Sequence, residues 1–179
     1  MSLDTTHKQI VDLGCGNNKT PGTFGVDLYP YPGVDQVANL DHYPWPLDTN
    51  RFDELISNHF IEHVADILAF MGEIHRITKP GGLVRLTTPH YSSVNSWSDP
   101  THLRHLSAQW YKPFLKDGYI GMRGQAFQLV SSQVFFGKSL RSYFPKLVTK
   151  LMGVERWEKH YAFQYPAQDL TTVLRVVKP

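Results

Sequence analysis

Short apolar runs bounded by turn residues alternate along the chain with a segment of helical period. The runs are rich in branched and aromatic residues and end near Gly, Pro, Asn or Asp, which is typical of buried strands. A longer segment repeats apolar residues near the helical period and predicts a helix, with Asp66 as its N-cap and Lys79-Pro80-Gly81 beyond its end. The predicted strands are 9–13, 24–28, 35–39, 53–58, 82–88, 126–136 and 170–177.

Two more helical segments are predicted in the second half of the chain. One runs from about Ser107 to Lys116. The other lies in a helical insertion, about 138–165, in which apolar residues recur at helical spacing around Pro145. The buried stripe of this insertion is predicted to be Leu147, Val148, Leu151 and Met152. The side chains predicted to stay in solvent are Lys138, Arg141, Lys146 and Lys150.

Length and composition favour a single domain over 1–179. The chain has 179 residues, enough for one well-buried core and few for two. A net charge of +2 requires no polyanionic partner, so a nucleic-acid partner is not indicated. One cysteine excludes an internal disulfide, and the sequence has neither a signal-peptide pattern nor an apolar run near the roughly 20 residues of a membrane span. We therefore expect a cytoplasmic protein without a transmembrane segment.

A nucleotide site is indicated by Val11-Asp12-Leu13-Gly14-Cys15-Gly16, followed by Gly25-Val26-Asp27-Leu28. Gly14 and Gly16 follow a predicted buried strand and allow the backbone to turn sharply and approach a ligand closely. Asp27 ends the second predicted strand, where a carboxylate can hold the hydroxyl groups of a ribose. The pattern predicts a site for a cofactor that contains adenosine.

This pattern resembles the first two motifs of class I S-adenosylmethionine-dependent methyltransferases. Two later stretches are similar to the small type 11 members of that class: Arg51 to Val64, which contains Glu62-His63, and Glu73 to Val84, which contains a Pro-Gly-Gly turn. The resemblance covers residues 9 to about 90. It implies a Rossmann-like α/β fold with a mostly parallel seven-stranded sheet whose last strand is antiparallel. It also implies an enzyme with S-adenosyl-L-methionine as its cofactor.

The chain departs from this family in its first two crossovers. The first contains Asn17-Asn18-Lys19-Thr20-Pro21-Gly22, which is too short for the usual helix, and Pro30 to Val34 is shorter still. We therefore predict that the helices after the first two strands are reduced or absent. The sheet face left bare is expected to need an apolar cover. The candidates are the insertion, a second copy of the chain in a homodimer, and an anionic membrane surface contacted by the basic, apolar segment.

The resemblance assigns roles in binding the cofactor to the glycine turn and its neighbours. Asp12 is expected at the methionine amino group, and Asp27 at the ribose hydroxyls. Gly14, Cys15 and Gly16 are expected where the backbone approaches the cofactor. Cys15 is interpreted as a packing and backbone contact rather than a nucleophile.

Further cofactor contacts are expected after the second, third and fourth strands. Leu28 is expected on a face of the adenine. Asn39-Leu40-Asp41 lies where the family places a polar side chain near the adenine amino group, with Asn39 preferred to Asp41. An ordinary polar turn is an equal interpretation of these three residues. Asn58 and His59 are expected beside the methionine part, at the end of the fourth strand.

The acceptor is expected at the loop after the fifth strand, about 89–106, because that edge faces the transferred methyl group in this architecture. Methyl transfer needs orientation, and a general base only where the acceptor loses a proton. His102 and His90 are the candidates for that base, and Asp99 either orients His102 or makes a cap or turn. Asp99, His102 and His105 also have a spacing that suits a metal, but the set is incomplete and no metal is predicted.

These residues predict methyl transfer to an oxygen or nitrogen atom of a small-molecule or glycan-type acceptor. Two alternatives stay open. An NAD(P)-dependent oxidoreductase would also use the Gly-x-Gly turn and Asp27, but the third glycine and a Tyr-x-x-x-Lys sequence are missing. A non-catalytic S-adenosylmethionine-binding module would keep the cofactor site without the chemistry.

Overall fold

The computed structural model describes residues 8–138 and 140–178. One sheet in this part of the chain contains the strands β1 (Ile10–Leu13), β2 (Phe24–Asp27), β3 (Gln36–Val37), β4 (Phe52–Asn58), β5 (Thr78–Pro89), β6 (Ala126–Phe135) and β7 (Asp169–Val177). Their order across the sheet is β3-β2-β1-β4-β5-β7-β6. β7 is antiparallel to β5 and β6, and the other neighbouring strands are parallel. The predicted α/β class, and the mostly parallel sheet with an antiparallel last strand, are confirmed.

The α-helices are α1 (Ile67–Ile77), α2 (Val94–Ser98), α3 (Tyr143–Met152) and α4 (Val154–Tyr161). Short 3-10 helices lie at Ile61–His63, Lys112–Phe114, Gly121–Arg123 and Leu140–Ser142. The Asp66 carboxylate accepts the N–H groups of Leu68 and Ala69 at 2.9 and 3.0 Å, which confirms the predicted N-cap of α1. Within the described ranges, none of the helices combines the length and apolarity needed to cross a membrane.

No α-helix forms over 107–116, so that prediction is wrong. The N–H groups of residues 110, 112 and 114 bond to carbonyl groups three residues earlier, which makes tight turns instead of α-helical turns. Pro113 cannot donate a backbone hydrogen bond and lies in the short 3-10 helix. The carboxylate of Glu158 in α4 also accepts the N–H of Ala108 at 2.7 Å, which fixes the start of the segment to α4.

The first two crossovers, residues 14–23 and 28–35, contain no helix, as predicted. The side chain of Lys19 lies over β2 instead: a Cβ at Gly25 would be 2.4 Å from Cδ of Lys19. The Lys19 ammonium contacts Asp35 at 2.8 Å, and Asp35 also accepts the N–H of Gly25 at 2.7 Å. The hydrogen bonds from Lys19 and Gly25 lower the pKa of Asp35 below its usual value. A lysine stem and an ion pair thus lie where a crossover helix would cover the strand.

The two faces of the sheet differ in polarity. One face has a row of buried apolar side chains, namely Val11, Leu55, Val84 and Leu174. The other face has exposed polar side chains, among them Arg85, Gln128 and Arg175. Polar side chains on β5, β6 and β7 can be solvated directly, so that part of the face needs no apolar cover. The expected apolar cover beside β1 and β2 stays a prediction.

The insertion packs on the rest of the chain through α4. Trp157 is fully buried in a small apolar cluster with Phe136 and Val148. Of the predicted buried stripe, only Val148 is buried; Leu147, Leu151 and Met152 are 54%, 72% and 43% exposed. The prediction is wrong for Leu147, Leu151 and Met152 because α4, and not α3, supplies the most deeply buried side chain of the insertion, Trp157. The homodimer and the contact with an anionic membrane surface stay predictions.

Candidate cofactor and acceptor site

The carboxyl ends of β1 and β2 carry the glycine turn. Gly14 and Gly16 have φ angles of +67° and +51°, in the region that favours glycine. A Cβ at Gly14 would lie 2.3 Å from the ring of Phe60, which follows β4 and packs on the turn. A Cβ at Gly16 would have no atom within 4 Å. Gly14 is therefore required by close packing, and Gly16 faces open space where a ligand can approach the backbone.

Asp27 connects the end of β2 to this turn. Its carboxylate accepts the N–H of Gly16 at 2.8 Å and the N–H of Tyr29 at 3.1 Å. Each carboxylate oxygen has a second acceptor position, and the residue is only half-buried, so the carboxylate can also accept bonds from a ligand. Leu28 and Tyr29 beside it are 49% and 57% exposed, and they provide apolar surface at the same edge of the sheet.

Asp12 and Cys15 lie behind the turn. Asp12 is 2% exposed and accepts the N–H of Thr20 at 2.8 Å, so it holds the loop of residues 14–23 against the end of β1. Burial, together with the charges of Asp12 and Asp27, raises the pKa of the Cys15 thiol to about 11. Since the thiolate is the nucleophilic form, this environment disfavours reactivity of Cys15 at neutral pH.

Asn39-Leu40-Asp41 forms a hydrogen-bonded turn after β3. Oδ1 of Asn39 accepts the N–H of Asp41 at 2.9 Å, and Oδ1 of Asp41 accepts the N–H of Ala65 at 3.1 Å. Leu40 is buried, and its carbonyl accepts the indole N–H of Trp45 at 3.0 Å. Both polar side chains have structural partners, so the geometry does not distinguish the preferred Asn39 from Asp41.

The chain beyond β4 brings two exposed polar residues next to a buried carboxylate. Asn58 and His59 are exposed, and Nδ1 of His59 lies 3.5 Å from Oε1 of Glu62. The Glu62 carboxylate raises the pKa of His59, while partial burial opposes the shift. Glu62 is 1% exposed, yet neither of its carboxylate oxygens has a hydrogen-bond donor in the part of the chain that the structure describes. The contact with His59 is therefore weak at 3.5 Å, and it becomes an ion pair when His59 is protonated.

His90 is buried beneath α4. The residue is 0% exposed, with Nε2 2.9 Å from Oε1 of Glu158 and Nδ1 2.8 Å from Oγ of Ser92. Burial by itself would raise the pKa of Glu158, but hydrogen bonds from His90, Ala108 and Gln109 lower it below its usual value. Because both ring nitrogens of His90 have partners within the protein, the geometry favours a structural role, and His90 as a base stays a prediction.

His102 lies beside His63, with their ring centroids 4.7 Å apart. Nδ1 of His102 is 3.0 Å from the carbonyl oxygen of Ser96, whereas Nε2 is 3.9 Å from Oδ2 of Asp99. Asp99 accepts the N–H and the hydroxyl of Thr101 at 2.8 and 2.7 Å. The Ser96 carbonyl therefore orients His102, and Asp99 makes the turn that was one of its two predicted roles. At 3.9 Å from Nε2, its other role, the orientation of His102, stays a prediction.

A cleft of about 710 Å³ separates the acceptor loop from the insertion. Its lining includes Ser93, Asn95, Phe136, Arg141, Tyr165 and Gln168. Gln168 precedes Asp169, which pairs with Pro89 at the end of β5, and β5 pairs with β4, so this cleft lies at the edge of the sheet where β4 and β5 end. Its volume is within the range of small-molecule sites in proteins.

A sequence family described as "Methyltransferase domain" matches residues 2–144. The chain belongs to this methyltransferase family. A 2-phytyl-1,4-naphtoquinone methyltransferase from Nostoc punctiforme is 30% identical over 83 residues, which are 46% of this chain. The match spans only 36% of the length of that relative.

Two solved structures show how widely this methyltransferase fold is shared. S-adenosylmethionine-dependent methyltransferases from Mesorhizobium loti and Archaeoglobus fulgidus superpose with TM-scores of 0.61 and 0.63. The Mesorhizobium loti structure aligns with 94% of this chain over 90% of its own length and is 16% identical. The Archaeoglobus fulgidus structure aligns with 94% of this chain over 86% of its own length and is 18% identical. At this level of identity the similarity shows the fold alone. The family match, and not the superposition, identifies an S-adenosylmethionine-dependent methyltransferase domain rather than a nicotinamide-dependent oxidoreductase.

The residues at the strand ends fit S-adenosylmethionine. The backbone at Gly16 is open, the Asp27 carboxylate has free acceptor positions, and Leu28 offers an apolar surface for a base. These are the three kinds of group that an adenosine needs: close backbone approach, an acceptor for hydroxyls and a flat apolar contact.

The sequence did not single out three residues that shape this methyltransferase site. Phe60 packs on Gly14, and its position directly after the β4 strand was the available signal. Thr20 donates its N–H to Asp12 from a loop with no regular pattern. Glu158 in α4 forms a hydrogen bond with His90, which is distant from it in the sequence. In an amphipathic helix, no local signal distinguishes a buried acidic residue of this kind from a solvent-exposed one.

Proposed function

We propose that this methyltransferase domain transfers the methyl group of S-adenosylmethionine to an oxygen or nitrogen atom of a small-molecule or glycan-type acceptor. The observation that carries the proposal is the arrangement at one edge of the sheet. The Gly16–Asp27 contact lies at the ends of β1 and β2, and the His63–His102 pair lies beyond β4 and β5. Open α/β sheets bind ligands outside the carboxyl ends of their strands, so one edge can hold both cofactor and acceptor.

On the cofactor side, Asp27 is proposed to accept the ribose hydroxyls, and Leu28 to cover the adenine. The backbone from Gly14 to Gly16 approaches the methionine part, beside the exposed Asn58 and His59. The contact of Asp12 with the methionine amino group stays a prediction, and its almost fully buried carboxylate also accepts the N–H of Thr20. The turn of residues 39–41 bounds the adenine end of the site.

On the acceptor side, His102 is proposed to accept a proton. S-adenosylmethionine supplies an electrophilic methyl group on a positively charged sulfur, and a hydroxyl or ammonium acceptor must lose a proton when it is methylated. The Ser96 carbonyl can only accept a hydrogen bond, so Nδ1 of His102 carries the proton and Nε2 the lone pair. The His102 side chain is 8% exposed, which limits competition from water.

The cleft beside the acceptor loop supports a polar acceptor with flat faces. Asn95, Arg141 and Gln168 provide hydrogen-bonding groups on its walls, and Phe136 and Tyr165 provide aromatic surface. Polar groups next to aromatic rings are suited to a sugar ring, which has hydroxyl groups at its edge and C–H groups on its faces. This supports a glycan-type or similarly hydroxylated small molecule.

Transfer of a labelled methyl group from S-adenosylmethionine to a panel of sugars, hydroxylated small molecules and amines tests the proposal. We expect His102→Ala to lower turnover by about 100-fold or more while the affinity for S-adenosylhomocysteine is unchanged. His160→Gln, at an exposed position on α4, serves as the matched control and should be fully active. Wild-type activity in His102→Ala would refute the assignment of the base. Cofactor binding without transfer to any of these acceptors would favour a non-catalytic binding module.

A further inference from the structure

Among the described residues, none donates a hydrogen bond to the buried Glu62 carboxylate, and His63 and His102 lie near it in addition to His59. One ligand atom from each of Glu62, His63 and His102 lies within 4.8 Å of the others. We refer to these three residues as the Glu62 cluster. A buried carboxylate without hydrogen bonds is costly, and His59, its charge partner at 3.5 Å, is exposed, so the buried carboxylate retains capacity for a further positive group.

The hydrogen bonds of both histidines place their lone pairs on Nε2. Nδ1 of His102 faces the Ser96 carbonyl at 3.0 Å, and Nδ1 of His63 faces the Thr101 carbonyl at 3.3 Å. Carbonyl oxygens accept and do not donate, so each Nδ1 carries a proton. The Glu62 cluster therefore contains two imidazole lone pairs and a carboxylate. The ring N–H groups of His63 and His102 are donated to the carbonyl groups of Thr101 and Ser96.

A second set of contacts fixes His63 in this state. Oγ1 of Thr101 lies 3.0 Å from Nδ1 of His63 and donates its own proton to Asp99 at 2.7 Å. The Thr101 hydroxyl must therefore accept from His63. Metal-ligating histidines commonly donate their other ring N–H to a carbonyl or a carboxylate-bound group in this way, which fixes the tautomer and increases the basicity of the ligand nitrogen.

We propose that Glu62, His63 and His102 bind a divalent transition-metal ion such as Zn²⁺. Two imidazoles and one carboxylate form a ligand set used by zinc and by other first-row metals at sites that keep open positions. Zinc ligands lie at about 2.0–2.2 Å from the ion, so binding draws the three side chains closer together than in the structure. The set differs from the Asp99, His102 and His105 spacing in the sequence: the ring of His105 is stacked on Trp97 at 3.6 Å.

The proposed ion would use the Nε2 lone pair of His102, so the base that the proposed function assigns to His102 is available only in the metal-free chain. Metal binding is therefore measured without acceptor and without turnover as a readout. Failure of the metal site then does not bear on methyl transfer, and failure of methyl transfer does not bear on the metal site.

Titration of the metal-free full chain with ZnCl₂ by calorimetry, and with CoCl₂ by visible absorption, tests the site. We expect one equivalent of Zn²⁺ to bind, and bound Co²⁺ to show d–d absorption. Replacing an outer-shell partner of a metal commonly lowers affinity roughly 10- to 100-fold. We expect Glu62→Gln and His63→Ala, which remove direct ligands, to lower the Zn²⁺ affinity at least as much.

Matched variants separate this site from nonspecific binding by other histidines. His105→Gln and His160→Gln should keep the wild-type affinity, because both lie outside the Glu62 cluster. Circular dichroism establishes that each variant is folded, and His63→Ala decides the outcome if Glu62→Gln does not fold, since His63 is only half-buried. Absence of Zn²⁺ binding by the wild-type chain, or equal binding by wild type and His63→Ala, overturns the proposal.

Discussion

Replacement of Asp27 by alanine removes the carboxylate that joins β2 to the glycine turn. The variant loses the acceptor for the Gly16 and Tyr29 N–H groups, at 2.8 and 3.1 Å, and the proposed acceptor for the ribose hydroxyls. A hydrogen bond to a charged group contributes about 1.5–3 kcal/mol. Because Asp27 is only half-buried, we take that range for the two ribose bonds together, which corresponds to a roughly 10- to 150-fold increase in Kd for S-adenosylhomocysteine.

Calorimetric titration of folded Asp27→Ala with S-adenosylhomocysteine measures this loss. Asp27→Asn keeps one oxygen that can accept the Gly16 N–H, so its affinity should lie between wild type and Asp27→Ala. Asp53→Asn is the matched control: that carboxylate accepts the N–H of Gln9 at 2.9 Å at the opposite edge of the sheet. We expect wild-type affinity in the control. Unchanged affinity in folded Asp27→Ala would show that the ribose is not bound at this place.

Two other predictions follow from exposure and charge. Leu147→Glu with Leu151→Glu should leave the fold intact, at a cost in unfolding free energy of no more than about 0.5 kcal/mol per site, because both side chains are mostly exposed. Thermal unfolding measures the change in unfolding free energy, and a loss of several kcal/mol would contradict the exposure of Leu147 and Leu151. Light scattering and sedimentation with anionic vesicles show separately whether α3 of the wild-type chain contacts a second copy or a membrane. Glu62→Gln should lower the pKa of His59 towards its usual value of about 6.5, as followed by NMR. The pKa of His59 is raised in the folded state, so its ion pair with Glu62 stabilises the fold fully at pH values below about 6.5. This stabilisation is lost as the pH rises through the raised pKa. If Glu62→Gln leaves the pKa of His59 unchanged, the pairing is refuted.

The sequence predicted those elements whose signals are local. The β1 strand and the turn at Gly14 and Gly16 depend on a short apolar run followed by residues that tolerate positive φ. The start of α1 depends on the side chain of Asp66, which bonds the next turn of its own helix. The missing crossover helices were predicted for a similar reason, since Pro and Gly occupy segments too short for a helix.

Features that depend on tertiary packing could not be predicted in this way. His90 and His102 could not be distinguished in the sequence as candidate bases. In the structure, His90 is buried beneath α4 and bonds Glu158, whereas the Ser96 carbonyl orients His102. The exposure of Leu147 also has no local cause, because an apolar stripe at helical spacing does not show which helix of an insertion reaches the core. The Glu62 cluster forms only when the acceptor loop folds back on the end of β4.

Binding of S-adenosylhomocysteine by the unmodified chain tests the cofactor site most directly. A ligand that binds only the folded state raises the unfolding free energy by about 2.7 kcal/mol when present at about 100 times its Kd. We expect this stabilisation in thermal or chemical unfolding with S-adenosylhomocysteine, and none with NAD or NADP at the same concentration. No stabilisation by S-adenosylhomocysteine at any concentration, or equal stabilisation by NADP, would contradict a methyltransferase cofactor site at the ends of β1 and β2.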